Sequence, residues 1–79
     1  MSLYVKLINP KEVIFEGVVD TIWLPGYVSP FQVLPNHAPL LSILEKGTIK
    51  LKINDEFKMF EIESGVVEVK DNKIRVIID

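Results

Sequence analysis

The chain has 79 residues, 48 % of them apolar, with nine basic and eleven acidic residues for a formal net charge of −2, and no cysteine. That length suits one small core rather than two, and the apolar content is that of a folding sequence, not a disordered one. Disulfides and thiolate metal sites are excluded, and there is no basic excess of the kind that drives sequence-independent binding to nucleic acid.

No apolar run approaches the ~20 residues of a membrane-crossing helix, and Met1 to Lys6 does not read as a signal peptide. In chain order, Leu3 to Ile8 alternates, with Leu3, Val5 and Leu7 on one face and Tyr4 and Lys6 on the other. Asn9-Pro10-Lys11 is a turn. Glu12 to Glu16 reads as a short strand that Gly17 breaks, and Val18 to Leu24 as the next, rich in β-branched and aromatic residues. Pro25-Gly26 is a turn signal; Tyr27 to Pro30 is irregular; Phe31 to Leu34 is a short strand stopped by Pro35. Leu40 to Leu44 is an apolar strand with Ser42 at its centre, bounded by Pro39 and Gly47.

Thr48 to Ile53 has the cleanest alternation, with Ile49, Leu51 and Ile53 inward and Lys50 and Lys52 toward water. Asn54-Asp55 is a two-residue hairpin turn. In Glu56 to Glu63 the apolar positions change phase between Phe57/Met59 and Phe60/Ile62, which implies a β-bulge near Met59-Phe60. Val66 to Lys70 returns through Asp71-Asn72 into Lys73 to Ile78, with Val67, Val69, Ile74, Val76 and Ile78 inward. The reading is all-β: a small two-sheet β-sandwich or flattened barrel of about nine to ten short strands, forming one domain over residues 1–79.

The parts of an enzyme are scarce. His37 is the sole histidine, so a histidine metal site would need carboxylates for its remaining ligands, and no serine sits in a nucleophile-elbow pattern. The four glycines are isolated, so no phosphate-cradling loop opens a helix. Neither a catalytic residue, a cofactor nor a metal is expected. Trp23 and Phe57 read as core aromatics rather than a stacking platform for bases. Pro35-Asn36-His37-Ala38-Pro39 is stiff, because a residue before proline is confined to extended backbone. Such a loop suits either a packed turn or a docking surface that loses little entropy on binding. Tyr4, Ile8 and Val66 are candidates for an exposed apolar patch.

Phe31-Gln32-Val33-Leu34-Pro35-Asn36-His37-Ala38-Pro39-Leu40-Leu41 resembles the hallmark segment of the F-type ATP synthase epsilon subunit family, whose mitochondrial counterpart is called delta. The likeness continues in Leu3 to Ile8 with Glu12 to Gly17, in Leu24-Pro25-Gly26, in Lys46 to Lys50, and in Ser64 to Val69 with Ile74 to Val76. The resemblance implies a non-catalytic central-stalk (rotor) subunit that docks on gamma and on the c-ring, couples proton translocation to ATP synthesis, and neither binds nucleic acid nor inserts into the membrane. It would lie peripherally on the cytoplasmic face of a bacterial inner membrane, or on an organelle membrane. Carried over position by position, the gamma side comprises Asn9, His37, Leu41 and Ser42, and the c-ring side Ser29, Pro30 and Phe31. The family usually carries Gly-Glu-Phe-Gly where this chain has Ser29-Pro30-Phe31-Gln32, so Pro30 cannot make any ion pair of that glutamate and the loop should bend differently. The family also continues into a C-terminal helical pair that can inhibit hydrolysis; a natural short form without it is the expectation here. The reading from another class is a free-standing β-sandwich adaptor for a small ligand or single-stranded nucleic acid.

Overall fold

The computed structural model describes residues 2–79. Nine strands form: β1 (Leu3–Ile8), β2 (Val13–Val19), β3 (Thr21–Leu24), β4 (Phe31–Val33), β5 (Leu40–Leu44), β6 (Gly47–Ile53), β7 (Glu56–Ile62), β8 (Gly65–Lys70) and β9 (Lys73–Ile78). They make two sheets packed as a β-sandwich. Sheet A has the order β2-β1-β9-β8-β5 and sheet B the order β4-β3-β6-β7. Neighbouring strands are antiparallel except β1 and β9, which run parallel at the centre of sheet A. Sheet A contributes Leu3, Val5, Leu7, Val67, Val69, Ile74 and Val76 to the core, and sheet B contributes Ile22, Leu24, Val33, Ile49 and Leu51. These are the parities the alternation implied, and each strand buries one side because its side chains alternate across the sheet.

Gly17 does not break its strand. It lies inside β2 opposite Val5, and the Phe15 ring sits 3.5 Å from where a Cβ would be, covering the gap that a strand glycine leaves. The break falls at Asp20, whose N–H donates to the Lys52 carbonyl of the other sheet at 2.8 Å. The chain changes sheets there, which places both Val19 and Thr21 in the interior. The Thr21 hydroxyl is satisfied by donating to the Val33 carbonyl and accepting from Gln32.

β7 contains no bulge. Its register with β6 is continuous from Gly47 opposite Ile62 to Ile53 opposite Glu56. The change of phase arises because Phe57 and Met59 point outward and are exposed, while Phe60 and Ile62 turn inward. Phe57 is therefore not a core residue, and Trp23 also lies on the outer face of sheet B, opposite Lys50. The one register shift lies between Leu7 and Ile8, where Phe15 faces Leu7 and Val13 faces Ile8, so Ile14 is the extra residue of a bulge in edge strand β2.

Candidate functional site

The outer face of sheet A is the unusual surface. Cross-strand registers align Ile43 with Val66, Val66 with Ile77, Ile77 with Ile8, and Ile8 with Val13. Residues directly opposite each other share a face, so these five form one apolar row across all five strands. Ile43, Val66, Ile77 and Val13 are exposed, Ile43 at 63 %. Leu41, two residues back on the same face of β5, is 72 % exposed. An exposed apolar band running the width of a sheet marks a contact surface rather than scattered surface residues. Ile8 and Val66 thus belong to the expected patch, while Tyr4 lies four residues from Ile8, at the other end of β1.

Loops bracket this face. Asn9 follows Ile8, and its side-chain oxygen accepts from the N–H groups of Lys11 and Glu12, each at 2.8 Å, closing the turn before β2. His37 lies in the loop before β5, at the opposite end of the sheet from the row, beside the Asp71-Asn72 turn. It is exposed, and its Nδ1–H donates to the Ala38 carbonyl at 2.6 Å, which leaves Nε2 directed elsewhere. Ser42 does not share the face of Leu41. It lies opposite Val67, on the inward side of the edge strand, and is half-buried.

The proline-bounded loop is held by Asn72, a residue of the β8–β9 turn. The Asn36 N–H donates to the Asn72 side-chain oxygen at 2.6 Å, and the Asn72 amide returns a bond to Asn36. The Asn72 carbonyl accepts from the Tyr4 N–H. Asp71 and Asn72 both have positive φ, 52° and 61°, the signature of a two-residue hairpin turn. Asn36 is also left-handed, at φ 68°. Asn72→Gly keeps the turn conformation open and removes only the clamp. It should cost about 1 kcal/mol in urea denaturation and broaden the amide resonances of Asn36 and His37, while those of the core strands stay sharp.

The second loop runs from Pro25 to Pro30 along the free edge of β5. Gly26 bridges Leu44, the Tyr27 N–H donates to Ile43 and the Glu45 N–H to Pro25, so the edge of sheet A is covered there. Gly26 is required by close approach: a Cβ would stand 2.5 Å from the Ser29 carbonyl oxygen and 2.8 Å from the Phe31 ring. Ser29 and Pro30 are at the exposed tip. Phe31 is turned inward against the core and over Gly26, so most of its ring is committed to packing. The apolar tip is instead formed by Tyr27 and Val28, the latter 96 % exposed. Neither was singled out from the sequence, although an exposed valine between a Pro-Gly turn and a Ser-Pro pair is the available signal.

Tyr4 donates its hydroxyl to Glu16 on the neighbouring strand, and that hydrogen bond, followed by desolvation and the carboxylate charge, raises its pKa above the ordinary 10.0. A raised folded-state value means that this stabilisation is complete below pH 10 and is lost as pH rises through the folded pKa. Tyr4→Phe should therefore abolish the corresponding alkaline loss, read as the difference in urea midpoint between wild type and variant from pH 8 to 11.

On sheet B, the Lys50 ammonium lies 4.9 Å from the Trp23 ring centre and 4.6 Å from that of Phe57. Those ring faces are occupied by a cation–π contact rather than left open for bases. Among the described residues no group of three or more His, Asp or Glu side chains is placed to hold a metal ion.

Residues 2–79 match the family of the ATP synthase, Delta/Epsilon chain, beta-sandwich domain. An ATP synthase epsilon chain of Leptospira interrogans is 38 % identical over 99 % of this chain and 61 % of its own length. One from Nitratidesulfovibrio vulgaris is 33 % identical over 99 % of this chain and 58 % of its own. The chain thus spans about three fifths of the length of these relatives. A chain from the mitochondrial ATP synthase of Euglena gracilis superposes with a TM-score of 0.92 over 98 % of this chain and 50 % of its own, at 18 % identity. One from the central stalk and c-ring of the Tetrahymena thermophila enzyme gives 0.82 over 99 % and 63 %, at 19 % identity. At those identities the likeness is one of fold. The family match over nearly every residue, together with relatives 33 % and 38 % identical over the 78 aligned residues, means that the chain belongs to the ATP synthase delta/epsilon family through its β-sandwich domain.

Proposed function

We propose that the protein is a non-catalytic rotor subunit of an F-type ATP synthase, held against gamma by the outer face of sheet A and against the c-ring by the tip of the 25–30 loop. It would lie peripherally on the cytoplasmic face of a bacterial inner membrane, or the equivalent organelle surface, and transmit torque between proton flow and catalytic sites carried by other subunits. The observation that carries this reading is the apolar row Ile43–Val66–Ile77–Ile8–Val13, uncovered in a member of this family. A rotor subunit must be clamped across a broad face, and a row crossing five strands offers rigid contact with little ordering cost.

Leu41 fits the gamma side, Asn9 fits it beside the apolar row, His37 fits it at the far end of the same sheet, and Ser42 contributes through the strand edge. Ser29 and Pro30 fit the c-ring side, with Tyr27 and Val28 as apolar contacts and Phe31 as the support beneath them. Retention of the protein by a gamma–c-ring subcomplex at micromolar concentration tests the proposal. Failure of the subcomplex to retain it would defeat the reading.

A further inference from the structure

We propose that the same outer face carries a second contact zone, a basic dish formed by Lys6, Lys70, Lys73 and Arg75 that receives an acidic segment of the partner covering the apolar row. This rests on the docking reading above. The dish is an open concavity of about 460 Å³, with Tyr4 on one wall and Glu68 and Asp71 as its carboxylates. Four cations against two carboxylates make it locally positive in a chain whose net charge is −2.

The register makes this arrangement unfavourable in the free chain. Lys70 stands directly opposite Lys73, and Lys6 directly opposite Arg75. Like charges placed opposite each other on one face destabilise a sheet, and here two such pairs sit one step apart, about 7 Å along β9. The flanking carboxylates stand directly opposite the inner pair only. Glu68 faces Arg75 and Glu16 faces Lys6, but Glu16 also accepts the Tyr4 hydroxyl. The Lys70–Lys73 pair has Asp71 of the turn beside it and Glu68 one same-face step along β8, but no carboxylate directly opposite Lys73. Guarding an open sheet edge does not account for these cations, because β1, β8 and β9 are all interior strands.

Position selects the occupant. Arg75 is two residues from Ile77 and Lys6 two from Ile8, so the dish begins about 7 Å from the apolar row and ends about 13 Å from it. A partner lying on the row covers the dish as well. It must therefore bring anions within that span, and an acidic segment does so while steering the approach. A small phosphate ligand would be better served by an enclosed pocket.

Lys73→Glu in the full chain, measured against isolated gamma, tests the inference. It should slow association about tenfold at low ionic strength and flatten the salt dependence, while the thermal midpoint of the free chain holds or rises because Lys70 then faces a carboxylate. Unchanged association and salt dependence, with binding lost in Ile77→Asp, would overturn the dish and leave the docking face standing. If neither substitution changes gamma binding, the docking reading falls too. Micromolar binding of pyrophosphate that shifts the Lys70 and Lys73 amides without slowing gamma association would instead make the dish a small-anion site and overturn the proposal.

Discussion

Ile77→Asp is expected to weaken binding to gamma by about thirtyfold or more, roughly 2 kcal/mol, while the free chain remains folded. Ile77 lies on an interior strand with Val66 on one side and Ile8 on the other, at the centre of the apolar row. Its side chain is already 43 % exposed, so an aspartate there stays hydrated in the free protein. Within a closed interface the carboxylate would be stripped of water with no apolar neighbour able to pair it. The same substitution at a true core position would unfold the chain, so circular dichroism together with titration calorimetry separates the two effects. Full affinity in the folded variant would remove this face from the interface.

Leu51→Ala should have the largest effect on stability. Leu51 is fully buried on β6, opposite Ile22 of β3 and Lys58 of edge strand β7. Truncation to alanine leaves a cavity in a rigid sheet-on-sheet core and should cost about 2–5 kcal/mol. For a domain of this size each kcal/mol moves the melting temperature by about 4–8 °C, so a drop of roughly 10–30 °C is expected by calorimetry. Total stability of small domains is only about 5–15 kcal/mol, which leaves the variant near its folding limit. Met59→Ala, on the exposed face of the adjacent strand, should change stability by no more than about 0.5 kcal/mol. A comparable loss from both would mean that the core does not lie where β6 places it.

The strands and their inward positions were legible because period-two alternation is direct chemistry: a residue's parity decides its face. Which face was buried was less legible. Phe57 and Met59 are as apolar as Phe60 and Ile62, so a one-dimensional pattern suggested a bulge where the chain simply exposes its apolar residues. Trp23 was misplaced for the same reason, since size and hydrophobicity favour the interior and nothing local signals Lys50 lying across the ring. Gly17 read as a break because its backbone freedom is local, whereas the Phe15 ring that covers it belongs to the strand's own packing. In the candidate site, Leu41, His37 and Asn9 could be placed by resemblance, but the apolar row could not be assembled from the sequence. It depends on the parallel pairing of β1 with β9, which brings Ile8 beside Ile77 across nearly seventy residues of chain. The turning inward of Phe31 was hidden likewise, because it depends on the space above Gly26.

The central place of β9 also constrains how the chain is made. β9 is synthesised after every other strand, yet it separates β1 from β8. While the polypeptide is still emerging from the ribosome, the β1–β2 hairpin and the β5–β8 pair have no shared neighbour, and one backbone edge of β1 waits unpaired. Closing a contact between strands so far apart in sequence is intrinsically slow. The nascent sandwich therefore stays open until Ile78 has cleared the exit tunnel, exposing apolar strand surface that needs protection from neighbouring chains on the same messenger.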